Sequence, residues 1–407
     1  MNALAIRARI VSDRVASAAG LDVRLLAMLL VMAVIWLGLD VLTGGTFLTP
    51  RNLFNLSLQV AVVGIMSCGM VLVIVSRHID LSVGSQIGVI GVFGALLQNA
   101  ILPIDGGATW WIAGLAMLGA GLLIGLVQGL LIAFGGVPSF VITLGGLLFF
   151  RNAAFYISSG VTIAPLNKTF QLLGGGLDGT IGAFWSWIVC AAAVLTVVAF
   201  VWRGARRRAM HGMAGRSQTA YILLIAIWSV CIIGFTAIMN AYQQPRSNIA
   251  MGIPIPVLIL IGVTVAMSAI ASKHRFGRHV FAMGGSSESA ELAGIDTRRL
   301  TVVVFALMGL LCGLASIVIT ARLNAGASVT GTMTELNVIA AAVIGGTSLA
   351  GGIGTVYGAI VGALIMQSLE SGMILMGVAT PLQRMVLALV LIAAVWVDMA
   401  YRRARQT

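Results

Sequence analysis

The stretch Leu58-Gln59-Val60-Ala61-Val62-Val63-Gly64-Ile65-Met66-Ser67-Cys68-Gly69-Met70-Val71-Leu72-Val73-Ile74-Val75 carries no charged side chain, and Ser76-Arg77-His78-Ile79-Asp80-Leu81-Ser82-Val83-Gly84-Ser85-Gln86 follows it directly. A helix of that first length rises about 27 Å, close to the ~30 Å hydrocarbon core of a bilayer. In lipid only helices and closed barrels satisfy every backbone N–H and C=O. The run is solidly apolar, without the alternation of a barrel strand, so it reads as a membrane-spanning helix that stops on a polar segment.

Blocks of the same kind recur along all 407 residues. The chain is 59% hydrophobic and only 9% charged, against roughly 25% charged in soluble proteins. Twelve candidate spans follow, over about 25–42, 58–75, 82–102, 112–134, 138–157, 185–202, 220–240, 254–271, 300–320, 335–348, 353–376 and 382–399. Gly or polar residues interrupt the fifth, tenth and eleventh. The expected fold is all-α: a polytopic integral membrane helical bundle of ten to twelve spans with broken helices and two related halves. It is one membrane domain over 1–407. Within it lie an N-terminal segment 1–24, a Gly-rich loop 158–184, the polar loop 272–299 and a tail 400–407.

The net charge of +12 does not point to nucleic acid, because the arginines lie in short clusters between apolar blocks with no aromatic-interleaved basic face. With the N-terminus threaded inside, 18 of the 24 basic residues fall on one side. These are Arg7, Arg9, Arg14, Arg24, Arg77, the loop cluster Arg203–Arg216, the 272–299 loop and the tail. The positive-inside rule then places both termini in the cytoplasm. Cys68, Cys190, Cys231 and Cys312 sit inside apolar segments without CxxC spacing and read as small buried hydrophobes.

A weak repeat at an offset of 268 residues pairs Leu81, Gly84, Gly94, Ala95 and Leu96 with Leu349, Gly352, Gly362, Ala363 and Leu364. Matching helix breaks in two halves point to a transport pathway. Frequent Gly and Ala in membrane helices is the competing explanation. The first break holds Asp80, Ser82 and Gln86, and the second holds Thr347 and Ser348. A carboxylate at membrane depth costs about 2.5–3.5 kcal/mol on insertion scales, so Asp80 should face protein, water or an interface. Hydroxyls and freed carbonyls there can hydrogen-bond a neutral polyol; alternatively Asp80 caps the helix that starts at Ser82. The other intramembrane polar residues are Asn152, Glu335, Asn337, Gln367 and Glu370. Glu335 and Asn337 open the tenth span as possible caps, and Gln367 and Glu370 share a helix face at i, i+3. All ten residues are candidates for a substrate path, with helix–helix adhesion as the alternative.

In the 272–299 loop, Gly284-Gly285-Ser286-Ser287-Glu288-Ser289-Ala290-Glu291-Leu292-Ala293-Gly294-Ile295-Asp296 reads as one short helix. Ser286 or Ser287 is its N-cap, Glu288 complements the dipole, and Gly294 supplies the left-handed end. Flanked by glycines, it forms a knob able to seat in a groove of a partner, or else a tidy connection between spans. No GxxxxGK[ST] occurs, and neither Lys168 nor Lys273 follows such a loop, so the chain has no P-loop of its own. No HExxH or GxSxG occurs either, and no catalytic residues, cofactor or metal are expected.

Four segments together resemble the permease subunits of bacterial ribose/galactose/xylose-type ABC importers. They are Ile79-Asp80-Leu81-Ser82-Val83-Gly84-Ser85, then Val137-Pro138-Ser139-Phe140-Val141-Ile142-Thr143-Leu144, then Gly277-Arg278 with Ala282-Met283-Gly284-Gly285, then Ile344-Gly345-Gly346-Thr347-Ser348-Leu349-Ala350-Gly351-Gly352. They occur in the family's order, and the likeness covers about 45–400. The two extra spans of an insertion over 185–250 make the chain look most like the D-xylose branch. Ser286, Glu291 and His78 depart from the usual family residues. The resemblance implies a non-catalytic subunit in the bacterial inner membrane, a homodimer surrounded by lipid, and a monosaccharide as cargo. It implies a cytoplasmic ATPase touching Gly284, Gly285, Ser286, Ser287, Glu288, Glu291, Leu292, Gly294 and Ile295, and a periplasmic sugar-binding protein on the other face. An ion-coupled secondary sugar transporter is the alternative, with Asp80, Glu335 and Glu370 as its available carboxylates.

Overall fold

The computed structural model describes residues 23–176, 178–210, 218–244 and 247–406. Apolar runs of helical length become helices throughout. In order these are α1 (Val23–Leu42), α2 (Pro50–Val75), α3 (Val83–Leu96, continued by a π-helical turn Leu97–Ile101), α4 (Thr109–Ala133) and α5 (Ser139–Ser158). The short α6 (Lys168–Gln171) leads to α7 (Gly182–Met210), α8 (Gln218–Ala241) and α9 (Ile255–Ser272). Then come α10 (Arg275–Gly285), α11 (Ser287–Leu292), α12 (Thr297–Leu323), α13 (Thr334–Ile344), α14 (Val356–Leu375) and α15 (Thr380–Gln406). Among the described residues nine helices are long and apolar enough to cross a membrane, and Ala27–Leu42, Thr334–Ile344 and Thr380–Trp396 are shorter apolar helices.

The core is built on α2, which is buried along nearly all its length. Around it stand α9, α12, α13 and α14. The closest pair is α4 with α12, and the reason is compositional. Gly121, Gly125 and Gly129 stand at four-residue intervals on one face of α4, opposite Gly309 and Gly313 of α12. A Cβ on Gly129 would lie 2.8 Å from the Val302 Cα, and one on Gly309 2.9 Å from the Gly125 Cα. Lipid supplies no hydrophobic drive between helices, so backbones brought this close by small residues gain packing instead.

The hairpin of α7 and α8, which makes up most of the expected 185–250 insertion, reaches the core mainly where α8 touches α2. The expected basic loop over Arg203–Arg216 is different in form. Arg203, Arg206, Arg207 and Arg208 belong to the last turns of α7, because the helix continues past the apolar block. Arg7, Arg9, Arg14, Arg216 and Arg246, and the side chains of Arg24, Arg402, Arg403 and Arg405, lie outside the described residues. Cys68, Cys190 and Cys312 are buried, whereas Cys231 is exposed on the outer face of α8.

Two further expectations change. The fifth span is unbroken, since Gly145 and Gly146 stay helical inside α5. The tenth span, expected over 335–348, is only the eleven-residue α13, which rises about 16 Å, half a bilayer. The Gly-rich stretch 158–184 is a surface loop as expected, but it also holds the short helix α6 and the start of α7. Asn167 caps α6 by accepting from Phe170 N and also donates to Ile104 O at 2.6 Å. Phe170 and Leu166 are buried beneath it, and Ile163 pairs with Gly326.

Candidate functional site

The segment 76–82 leaves α2 and climbs into the bundle in non-helical conformation. His78 packs its ring against Phe305 (centroids 5.7 Å apart), early in α12. Ile87 O then accepts a 2.9 Å bond from Ser316 Oγ, roughly 28 Å along α12 from Thr297. So α3 starts deep inside the protein. Non-helical backbone at that depth is tolerated only when protein satisfies it, and the side chains of the segment do so. Asp80, fully buried, accepts from Ser82 N (2.8 Å) and Ser82 Oγ (2.6 Å). Ser82 Oγ in turn accepts from Gln86 Nε2 (2.8 Å) and from Gln128 Nε2 on α4 (2.9 Å). Gln86 Nε2 also reaches Gln128 Oε1 at 3.1 Å. On the α5 side, Thr143 Oγ1 donates to Ile79 O (3.1 Å), which joins the first two sequence motifs.

A second irregular segment descends beside α3. Between α12 and α13, residues 326–331 run along a glycine face of α3. Gly326 packs on Gly91 and Ala95, Gly88 on the carbonyls of Ser328 and Thr330, and Gly84 on Gly331 O and the Glu335 carboxylate. No side chain fits at these α3 positions. Glu335 is buried and its Oε2 has no hydrogen-bond partner. Arg151 of α5 holds the turn through one Nη1, donating to Ser328 O (3.0 Å) and Thr332 Oγ1 (2.7 Å). Each irregular segment thus lies beside a partial helix: 76–82 leads into α3, and 326–331 leads into α13.

The loop between α9 and α12 closes one end of the bundle. The expected single helix over 284–296 is two. Gly284 and Gly285 finish α10, and only Ser287–Leu292 form α11. Ser286 is the N-cap between them, its Oγ accepting from Ser289 N at 3.2 Å. At the other end Gly294 (φ 81°) donates to Glu291 O (2.9 Å), and Ile295 donates to Ala290 O (3.0 Å), a left-handed C-terminal cap. Gly285 is exposed, but Gly284 is not a spacer holding a knob away. Gly284 is buried and packs directly on Val75 O and Gly352 N. Glu291 is bound within the chain, accepting from Thr297 Oγ1 at 2.6 Å. Ala290 is the one α11 residue buried beneath the knob, whereas Leu292 is 86% exposed.

Below α11 three remote segments meet. Gly352 N donates to Val75 O (2.9 Å). The Arg77 side chain donates from Nε to Gly284 O (2.8 Å) and from Nη2 to Gly285 O (2.6 Å). Gly351 packs on the Arg77 side chain and Gly284 O. The end of α2, the end of α10 and the loop between α13 and α14 therefore form one junction, beside a cleft of about 280 Å³ lined by His78, Met283, Ser287, Arg298 and Thr301.

The ten candidate path residues separate into distinct places. Asp80, Ser82 and Gln86 form the network just described. Thr347 and Ser348 are buried in the loop after α13, where Ser348 Oγ accepts from Ala350 N (3.1 Å) and Thr347 Oγ1 is unpartnered. Glu370 Oε2 accepts from Gln367 Nε2 (2.9 Å) and Asn337 Nδ2 (3.2 Å), so Asn337 joins α13 to α14 rather than capping α13. Asn337 and Glu370 face a cavity of about 560 Å³ between α13, α14 and α15 that Gln383 and Arg384 also line. Asn152 is exposed on α5, its Nδ2 turned back to Leu148 O (2.8 Å). Sequence reasoning missed Gln128, Arg151 and the guanidinium contacts of Arg77. The four-residue glycine spacing on α4 was the available signal for the neighbourhood of Gln128; nothing local marks the other two.

The comparisons agree with this architecture. Residues 52–395 match the family described as branched-chain amino acid transport system / permease component. The chain is 36% identical over 386 residues to the xylose transport system permease protein XylH of Escherichia coli strain K12, covering 94% of this chain and 93% of that one. It is 35% identical to XylH of Haemophilus influenzae, covering 92% and 96%. It is 32% identical to the ribose import permease protein RbsC of E. coli K12, covering 86% and 87%. No solved structure matches. A helical membrane bundle with partial helices, matched along nearly its whole length by sugar-transport permeases, belongs to this family of ABC-importer permease components.

Proposed function

We propose that this chain is the membrane channel of an ATP-driven importer that carries a monosaccharide, D-xylose, into the cytoplasm. Two copies form the channel in the inner membrane with both termini inside. A separate ATPase subunit binds the α10–α11 end, and a periplasmic sugar-binding protein delivers cargo at the opposite face. The chain itself hydrolyses nothing and binds no cofactor.

The observation that carries this reading is the junction below α11. A short capped helix projects Leu292, Ser287 and Glu288 from the bundle, and its root at Gly284 and Gly285 is bonded to Arg77 in the segment after α2 and packed on Gly351 and Gly352 in the loop between α13 and α14. A partner that displaces α11 therefore acts on both segments without a ligand of its own in the membrane. Passage of a neutral polyol needs hydroxyl, amide and other hydrogen-bonding groups; Thr332, Asn337, Glu370, Thr380 and Gln383 line the 560 Å³ cavity, and Gln367 is bonded to Glu370 beside it. The likeness to xylose permeases, together with the α7–α8 hairpin, supports xylose over ribose.

The test is uptake of radiolabelled xylose, ribose and arabinose by the chain reconstituted with its ATPase and binding protein. ATP-dependent xylose uptake, abolished when the ATPase is omitted and insensitive to ionophores, is expected. Uptake by the chain alone, driven by an ion gradient, overturns the reading.

A further inference from the structure

Arg77 occupies a backbone position that chemistry reserves for glycine. Its φ is +65°, Arg77 N donates to Ile74 O (2.9 Å), and His78 N donates to Val73 O (3.0 Å), so it is the left-handed residue of the cap that ends α2. The same two-bond cap ends α11 at Gly294, α13 at Gly346 and α14 at Gly377, and ends α12 at Asn324. Glycine adopts this conformation freely, asparagine tolerates it, and a long side chain resists it. Gly44 ends α1 in the same way, so the chain follows that preference at five helix ends; it departs from it with the short Ser159 at α5 and with a long side chain at α2. The departure has a visible return, since the guanidinium binds Gly284 O and Gly285 O, 207 and 208 residues away. A guanidinium presents its donors in a fixed fork that binds two acceptors together.

Resting on the permease reading above, we propose that Arg77 is a positioning residue that locks the root of α11 to both helix breaks, so that displacement of α10–α11 moves 76–82 and 345–355 as one body. The geometry gives each break a direct tie. The first break carries Arg77 itself. The second is held through Gly351, packed against the Arg77 side chain, and through Gly352 N on Val75 O. Gly284 has no room for a side chain between Val75 and Gly352, so the three backbones meet without slack. Without the guanidinium, only the Gly352 bond and van der Waals contact join them.

The decisive variant is Arg77→Gly, which suits the left-handed backbone and removes only the side chain. Arg77→Lys keeps the charge but loses the fork. In the purified full chain in nanodiscs, hydrogen exchange at α11 and at 349–353 is expected to rise by about tenfold in Arg77→Gly, with α4 and α12 unchanged. In the reconstituted importer, ATPase co-purification and hydrolysis stay within about twofold of wild type, while sugar carried per ATP falls by about tenfold; Arg77→Lys falls between. A merely structural role would lower hydrolysis and uptake together with the amount of folded protein and leave their ratio intact. That result, or unchanged exchange in Arg77→Gly, overturns the inference. If the wild-type importer shows no ATP-dependent uptake, the permease reading falls, while the exchange measurement still judges the lock.

Discussion

Replacing Gly125 by alanine tests the contact on which the bundle's tightest helix pair depends. An added Cβ would overlap the Phe305 carbonyl oxygen, and would lie 2.9 Å from Phe305 C and 3.0 Å from Ala306 Cα. These neighbours are backbone atoms of α12 and cannot rotate away. The helices must part by on the order of 1 Å, a gap that forfeits a quarter to a half of each affected dispersion contact. The neighbouring contacts Gly121–Gly309 and Gly129–Val302 loosen with it. The expected loss is about 1–3 kcal/mol, as for overpacked interiors. Gly119→Ala on the same helix is the control, because nothing lies within 4 Å of its Cβ. It shares the substitution and differs only in surroundings. The assay is the unfolding midpoint of each purified variant in mixed micelles with a denaturing detergent. Gly125→Ala should fall clearly below wild type while Gly119→Ala matches it. Equal midpoints for the two variants refute the close-approach argument.

Gly84→Ala should abolish uptake and destabilise by about 1–3 kcal/mol, because its Cβ meets Glu335 and Gly331 O. Adding Glu335→Ala should not restore uptake, since the Gly331 carbonyl remains in the way. Ser82→Ala removes the shared hydroxyl of the Asp80–Gln86–Gln128 network. It should lower the unfolding midpoint by the equivalent of about 1–3 kcal/mol for each group left unpaired, and Ser82→Thr should recover part of the loss. Gly294→Ala forces an alanine to φ 81°; hydrogen exchange should rise in α11 and uptake should fall, with the global unfolding midpoint unchanged.

The sequence was legible wherever the physics is local. A charge-free run such as 58–75 predicts a helix of membrane length, and α2 contains it, although the helix begins eight residues earlier at Pro50. Ser286 as an N-cap and Gly294 as a left-handed end were readable because both act within one turn. The i, i+3 pair Gln367 and Glu370 is bonded as its spacing suggests. Local rules also misled. Gly145 and Gly146 suggested a break in a helix that continues from Ser139 to Ser158, packed against α3 and α4. The mainly apolar run from Glu335 to Ser348 suggested a membrane span, but α13 ends at Ile344 and covers only about half a bilayer.

Composition, hydropathy and caps determine by themselves that this chain is a bundle of membrane helices interrupted at two places and finished at one end by a short polar helix. Those properties depend on neighbours a few residues apart. Tertiary structure alone decides that Arg77 reaches the carbonyls of Gly284 and Gly285, that Gly352 binds Val75, and that Gln128 completes the pairing of Ser82. Each is a hydrogen bond whose partner is chosen by how whole helices pack. A buried donor or acceptor must be satisfied, but nothing in its local sequence says by whom.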